Sequence, residues 1–214
     1  MKGKTIAICA PGATFSSDWV GHLYELWCHA IAKGYGLGFF QAYCCYIHMT
    51  RMTLLKAVLE CPEPIDYVLW IDHDNLVTWE QVEKLIAHLE AQPGPSIVAG
   101  WYYVAGPDGG VKTVVGKWEE SLGGFRLIGP SELVPNGNGL MKADAVGFGC
   151  ILMPFEVMKT LGPEAFVSKD GRYGEDFVFC DAAKKAGIPL FVDPTIEVPH
   201  LKLRAIVPAA AGAA

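Results

Sequence analysis

Three small groups of polar residues interrupt an otherwise apolar sequence, and together they have the chemistry of a cation site. Asp72 and Asp74 close the apolar run of YVLWIDHDN; Glu175 and Asp176 follow Gly174 ahead of a helical pattern; His200 stands in VPHLK after the last β-rich run. Two carboxylates two residues apart at a strand end can both lean toward one divalent cation, directly or through water. A borderline metal such as manganese accepts carboxylate oxygen together with imidazole nitrogen, which makes His200 a candidate ligand beside the two acids. Each group also has a plainer reading. Asp72 to Asn75 can form an Asx-turn, Glu175 and Asp176 suit the positive end of a helix dipole, and a histidine after a strand is by default structural. His73, flanked by the acids, should point to the opposite side of the strand and pack or hydrogen-bond there.

These residues need a frame that brings them together. Val68 to Ile71 reads as a strand buried on both faces, as in a parallel sheet covered by helices, so the two acids fall at the carboxyl edge where open α/β sheets bind ligands. Upstream, Lys4 to Cys9 is a strand closed by Pro11-Gly12, and Asp18 to about Lys33 is a helix with Val20, Leu23, Trp27, Ala30 and Ile31 at helical spacing. Leu37 to Ala42 is a second strand, and Thr50 to about Glu60 a second helix with Met52, Leu55 and Leu59 on one side. Thr78 with Gln81 makes a capping box for a third helix, whose apolar face is Val82, Leu85, Ile86 and Leu89. Strand and helix thus alternate through residues 1–92, a Rossmann-like, right-handed parallel half that would bind a nucleotide.

The pattern changes after Gln92-Pro93-Gly94-Pro95. Ile97 to Val104 reads as a strand, Pro107-Asp108-Gly109-Gly110 as a turn before Val111 to Val115, and Gly123-Gly124 and Asn136 to Gly139 as turns in an antiparallel, loop-rich middle. Ala143 to Met153 reads as a strand interrupted by Gly147 and Gly149, where backbone or ligand can approach closely. Pro154 suits the first position of a short helix to Leu161. Phe177, Cys180 and Ala183 pattern a helix to Lys185, followed by strands Leu190 to Val192 and Thr195 to Val198. The expectation is one α/β domain over 1–206, with an acceptor and catalytic half at 93–206 and a flexible tail at 207–214.

Composition narrows the classes further. With 214 residues, 51% apolar and 19% charged, the chain suits one well-packed domain. It has no run of the roughly 18 apolar residues that span a membrane and no signal-peptide core after Lys2 and Lys4, so the expectation is a cytoplasmic protein. The seven cysteines, with Cys9, Cys28, Cys150 and Cys180 inside apolar runs, suit buried reduced thiols. Cys44-Cys45 lacks the gap used by metal or redox motifs. A net charge of −6 argues against nucleic-acid binding over the whole surface.

Five segments carry a resemblance: IAICAPG, TRMTLLKAVLE, VLWIDHDN, GFGCILMPFEVMKTLG and YGEDFVFCDAAKKAGIPLFVDPTIEVPHL, in order along nearly the whole chain. The sequence resembles nucleotide-sugar-dependent glycosyltransferases of the GT-A fold, and among them the large inverting family. The resemblance implies a divalent metal, manganese or magnesium, held by Asp74 and His200, with Asp72 reaching it through water or meeting the donor's ribose. It implies a nucleotide-sugar donor, in the first place a UDP-sugar, lying along Pro11 and met by Arg51 at a phosphate or base edge. Trp101 would wall the sugar or acceptor pocket, although a lone tryptophan is more often core. Asp176 would be the catalytic base for the acceptor hydroxyl, with Glu175 the alternative occupant of that role.

The acceptor is left open, because Gly106 to Met141 matches no motif of the family. Lys169, Arg172, Lys184, Lys185, Lys202 and Arg204 could favour a phosphate-bearing acceptor, including a hydroxymethylated DNA base, or form an ordinary solvated face. Two rival readings stand beside the transferase. One is a haloacid-dehalogenase-like phosphatase, with Asp72 and Asp74 as nucleophile and acid, although Leu76 stands where that family has Thr or Val. The other is a nucleotide-sugar-binding module without turnover.

Overall fold

The computed structural model describes residues 3–105, 110–168 and 171–202. The turn expected at Pro107-Asp108-Gly109, the loop residues Lys169 and Asp170, Arg204 and the tail at 207–214 lie outside the described residues.

The first half is assembled on β1 (Thr5–Pro11), which pairs in parallel with β2 (Gly36–Ala42) on one side and β3 (Tyr67–Trp70) on the other. Helices α1 (Ser17–Ala32) and α2 (Ile47–Leu59) make the crossovers, and α3 (Trp79–Glu90) follows β3. The second half adds β4 (Ile97–Trp101), β5 (Tyr103–Ala105), β6 (Val111–Thr113), β7 (Gly116–Glu119), β8 (Gly124–Leu127), β9 (Met141–Lys142), β10 (Ile151–Pro154), α4 (Phe155–Leu161), α5 (Glu175–Lys185) and β11 (Leu190–Glu197). Seven strands form one sheet in the order β2-β1-β3-β10-β4-β11-β9. β10 runs antiparallel to both β3 and β4, and β9 antiparallel to β11, so the other five strands share one direction. The hairpins β5-β6 and β7-β8 stand apart from it as the antiparallel, loop-rich region. No helix among the described residues is long and apolar enough to cross a membrane.

Alternation of side chains along the strands creates two apolar layers. Trp70, Phe148, Phe166 and Phe179 fill the layer with α2 and α5; Leu26, Leu69, Leu85 and Leu152 fill the layer with α1 and α3. α3 forms as its sequence predicts: the Thr78–Gln81 capping box is closed, and Val82, Leu85, Ile86 and Leu89 are buried.

Several local expectations are corrected. On α1 the buried residues are Trp19, Leu26 and Ala30, whereas Val20 and Ile31 are 51% and 53% exposed. α1 packs on α3 and the edge strand β2, so only a narrow stripe of it is covered. α2 begins at Ile47, before Thr50; Leu55 is buried as expected, with Met52 and Leu59 packed partly buried against the core, and Thr50, Arg51, Leu54 and Val58 are buried as well. Only Ile151–Pro154 of the expected strand Ala143 to Met153 joins the sheet, because Gly147 and Gly149 bring the preceding backbone directly against Tyr102 and Asn75. Pro154 ends β10 and caps α4, and does not occupy its first helical position. Ile97 to Val104 breaks at Tyr102 into β4 and β5, while the two expected late strands are one strand with a register shift after Val192. Cys9, Cys150 and Cys180 are buried, but Cys28 is exposed; all seven cysteines are free thiols.

Candidate active site

β3 delivers the two acids to the carboxyl edge. The backbone N–H of Asn75 donates to the Asp72 carbonyl at 3.0 Å, closing a turn over His73 and Asp74, and Trp19 Nε1 donates to the same carbonyl at 2.9 Å. The turn reading and the functional reading are therefore compatible: the backbone turns, and the two side chains diverge to different partners.

Asp72 faces Arg51. The guanidinium Nη2 donates to both Asp72 oxygens, at 3.0 and 3.2 Å, while its Nε donates to Glu175 Oε1 at 2.9 Å. Arg51 is 3% exposed and lies over the rings of Phe148 and Trp70. Burial works against its charge, yet the two carboxylates outweigh that cost and hold its pKa above the ordinary value. The arginine thus ties the end of β3 to the start of α5. Its Nε and Nη2 are taken by the two carboxylates, and its buried Nη1 has no hydrogen-bond partner among the described residues.

Asp74 faces the other way. Its Oδ2 lies 3.1 Å from His200 Nε2 and accepts from Lys202 Nζ at 2.8 Å. The chain after β11 is laid antiparallel along this turn: Leu76 N donates to Pro199 O, Leu201 N donates to Asp74 O, and Asn75 bridges His200. Burial pushes the Asp74 carboxyl up, but the hydrogen bonds and charges of His200 and Lys202 more than reverse this and hold it well below the usual carboxylate range. His200 Nδ1 lies 2.8 Å from the Tyr103 carbonyl, which can only accept, so that nitrogen carries a hydrogen. In the neutral ring, Nε2 then turns its lone pair toward a carboxylate, an arrangement that requires a proton or a cation between them.

The pair fits a metal as a partial shell. Neighbouring donors on a six-coordinate cation with bonds of about 2.1 Å stand about 3 Å apart, and Asp74 Oδ2 and His200 Nε2 are 3.1 Å apart. A ligating imidazole characteristically donates its other N–H to a carbonyl or carboxylate, as His200 does to Tyr103. The expected third partner does not join them, because Asp72 is drawn off by Arg51. No group of three or more His, Cys, Asp or Glu side chains among the described residues is arranged to hold a metal ion.

Glu175 and Asp176 open α5, whose N-cap is Gly174. Glu175 is held by Arg51, whereas Asp176 Oδ1 accepts from the Phe177 backbone N–H, at 2.8 Å. Burial, reinforced by the negative charge of Glu175 and opposed by Arg51, raises the Asp176 carboxyl to about 6. Tyr102 joins the two sides: its ring meets His200 edge-on with centroids 4.7 Å apart, and its hydroxyl lies where a Cβ on Gly147 would stand. Burial, with the charges of Asp72 and Asp176, keeps that phenol neutral.

The remaining expected residues are distributed differently. Pro11 is buried at the end of β1, leaving Ala13 and Thr14 as the exposed part of its loop. Gly12 abuts His73, which is exposed above it and not packed on the far side of the strand. Trp101 is corrected from pocket wall to core: it is 5% exposed, with Nε1 donating to Pro194 O at 3.0 Å. Of the basic residues, Lys184 pairs with Asp144, Lys185 with Asp181 and Lys202 with Asp74, while Lys169 and Arg204 lie outside the described residues. Sequence reasoning missed Tyr102 and the Lys202–Asp74 pair; the spacing of Lys202, two residues after His200, was the available signal.

No family model matches the sequence, and no curated protein matches it. Solved structures do resemble it. A197 from STIV superposes with a TM-score of 0.51 at 14% identity, over 98% of this chain and 100% of that one. GalNAc-T7 with UDP, GalNAc and Mn2+ gives 0.57 at 12% identity over 99% of this chain. The catalytic domain of Drosophila β1,4-galactosyltransferase 7, in complex with xylobiose, gives 0.53 at 16% identity over 94% of this chain and 72% of that one. The chain has the GT-A fold. It spans 46% of the GalNAc-T7 chain. Within this GT-A fold, Arg51, Asp72, Asp74, Glu175, Asp176 and His200 gather at the carboxyl edge of the sheet.

Proposed function

We propose that the protein is a metal-assisted glycosyltransferase that moves a sugar from a nucleotide-sugar donor, in the first place a UDP-sugar, to an acceptor hydroxyl with inversion. The observation that carries this reading is the Asp74–His200 pair, 126 residues apart in sequence and held at donor spacing. The presence of UDP and Mn2+ in GalNAc-T7, which shares the fold, supports it.

Asp74 and His200 would hold manganese or magnesium, leaving its other positions to phosphate oxygens and water. When bound, the cation supplies Lewis-acid stabilisation to the departing nucleoside diphosphate. Asp72, fixed by Arg51, is set to accept a hydroxyl of the donor. Asp176 takes the acceptor's proton as the new glycosidic bond forms and the sugar–phosphate bond breaks, and a pKa near 6 leaves it ionised yet basic at neutral pH. The phosphatase alternative fares worse, since its nucleophile, Asp72, is held at both oxygens by Arg51.

The test is a panel of nucleotide sugars, with and without Mn2+, read as release of nucleoside diphosphate. Metal-dependent release from one donor is the expected result. Release of inorganic phosphate from phosphomonoesters, with no donor cleaved, would refute the proposal.

A further inference from the structure

We infer that Lys202 is a built-in cation that occupies the Asp74 carboxylate until a nucleoside diphosphate arrives, so that metal and nucleotide bind as a coupled pair. The inference rests on the proposed donor site and adds to it a coupling between its two ligands and the residue that imposes it.

Asp74 Oδ2 is a shared atom: His200 Nε2 stands 3.1 Å from it and Lys202 Nζ 2.8 Å from it. A divalent cation placed between Oδ2 and Nε2 lies about 2.2 Å from that oxygen. The ammonium would then be no more than about 5 Å from the metal, two positive centres against one oxygen. Either the metal stays out or the lysine leaves. Lys202 is free to leave: its side chain is 62% exposed, whereas the Asp74 and His200 side chains are 22% and 10% exposed and the backbone on either side is fixed by Leu76–Pro199 and Leu201–Asp74 hydrogen bonds. The moving part is thus one long side chain on a fixed base. A diphosphate entering beside the metal brings several negative oxygens within reach of that side chain and offers the ammonium a stronger partner than half of a carboxylate. Nucleotide binding thereby vacates the oxygen that the metal needs, and the metal in turn fixes the phosphates. By linkage, each must strengthen the other's binding by the same factor.

The experiment measures Mn2+ binding by electron paramagnetic resonance and UDP binding by calorimetry, on the full chain and on the variants K202M and K202R. In the parent, Mn2+ alone binds weakly and UDP strengthens it. K202M should bind Mn2+ alone about tenfold more tightly and UDP more weakly, so that the coupling factor falls at least about tenfold; K202R, which keeps the charge, should retain most of it. An unchanged coupling factor in K202M, with UDP still promoting Mn2+ binding, overturns the role of Lys202 and leaves the donor site standing. If UDP does not promote Mn2+ binding even in the parent, the donor-site reading and this inference fall together.

Discussion

Replacing Arg51 by methionine removes a single cation from between two carboxylates that belong to different halves of the fold. Methionine fills much of the same volume against Phe148 and Trp70, so the packing loss is small and the electrostatic loss dominates. Breaking a buried ion pair costs about 3–5 kcal/mol. Asp72 and Glu175 keep 20% and 12% exposure, so solvent can partly compensate them and the low end, about 3 kcal/mol, applies. In a domain of this size each kcal/mol moves Tm by about 2–4 °C, which gives a fall of about 6–12 °C in thermal unfolding followed by circular dichroism. Adding E175Q to R51M removes one orphaned charge and should recover part of the loss. An R51M protein melting within about 2 °C of the parent, or a double variant less stable than the single one, would refute the assignment of Arg51 as the tie between β3 and α5.

Other predictions concern the site itself. D74A should abolish UDP-promoted Mn2+ binding while leaving the fold intact by circular dichroism. D176N should bind donor with unchanged affinity and lose transfer by at least about a hundredfold, read as a loss in kcat without a change in KM. Transfer by the parent should rise with pH and reach half its plateau near pH 6, where Asp176 loses its proton. The same shift affects stability: between the ordinary aspartate pKa near 4 and the folded value near 6, the folded state binds more protons than the unfolded one. Stability therefore falls as pH rises through that window, by about 2–3 kcal/mol, and D176N should lack that slope in urea titrations. G149A places a methyl group 2.2 Å from Asn75 Oδ1 and 2.6 Å from Tyr102 Cε1, so a loss of about 1–3 kcal/mol is expected in the same titrations.

Much of this architecture is written in local signals. The Thr78–Gln81 box, the doubly buried run before Asp72 and the turn at Gly123-Gly124 depend on residues within a few positions of each other, and each forms where its sequence indicates. What depends on distant partners was not legible. The α1 stripe shifts because the helix covers a sheet edge, which no periodicity within the helix encodes. Asp72 and Asp74 look equivalent in sequence, yet a buried arginine on α2 claims one and a lysine near residue 200 claims the other. Tyr102 and Trp101 are neighbours of similar chemistry; strand alternation sends the first to the polar cluster and the second to the core, and only the register of β4 against β11 decides which.

The strip that follows β11, Pro199 to Lys202, lies across the turn after β3, so its placement depends on β11 taking its place in the sheet. During synthesis Asp74 emerges 126 residues before His200, so the residues of every strand of the sheet are made before the pair can form. A product truncated at Glu197 would keep the sequence of every strand of the sheet and lack the Asp74–His200 pair.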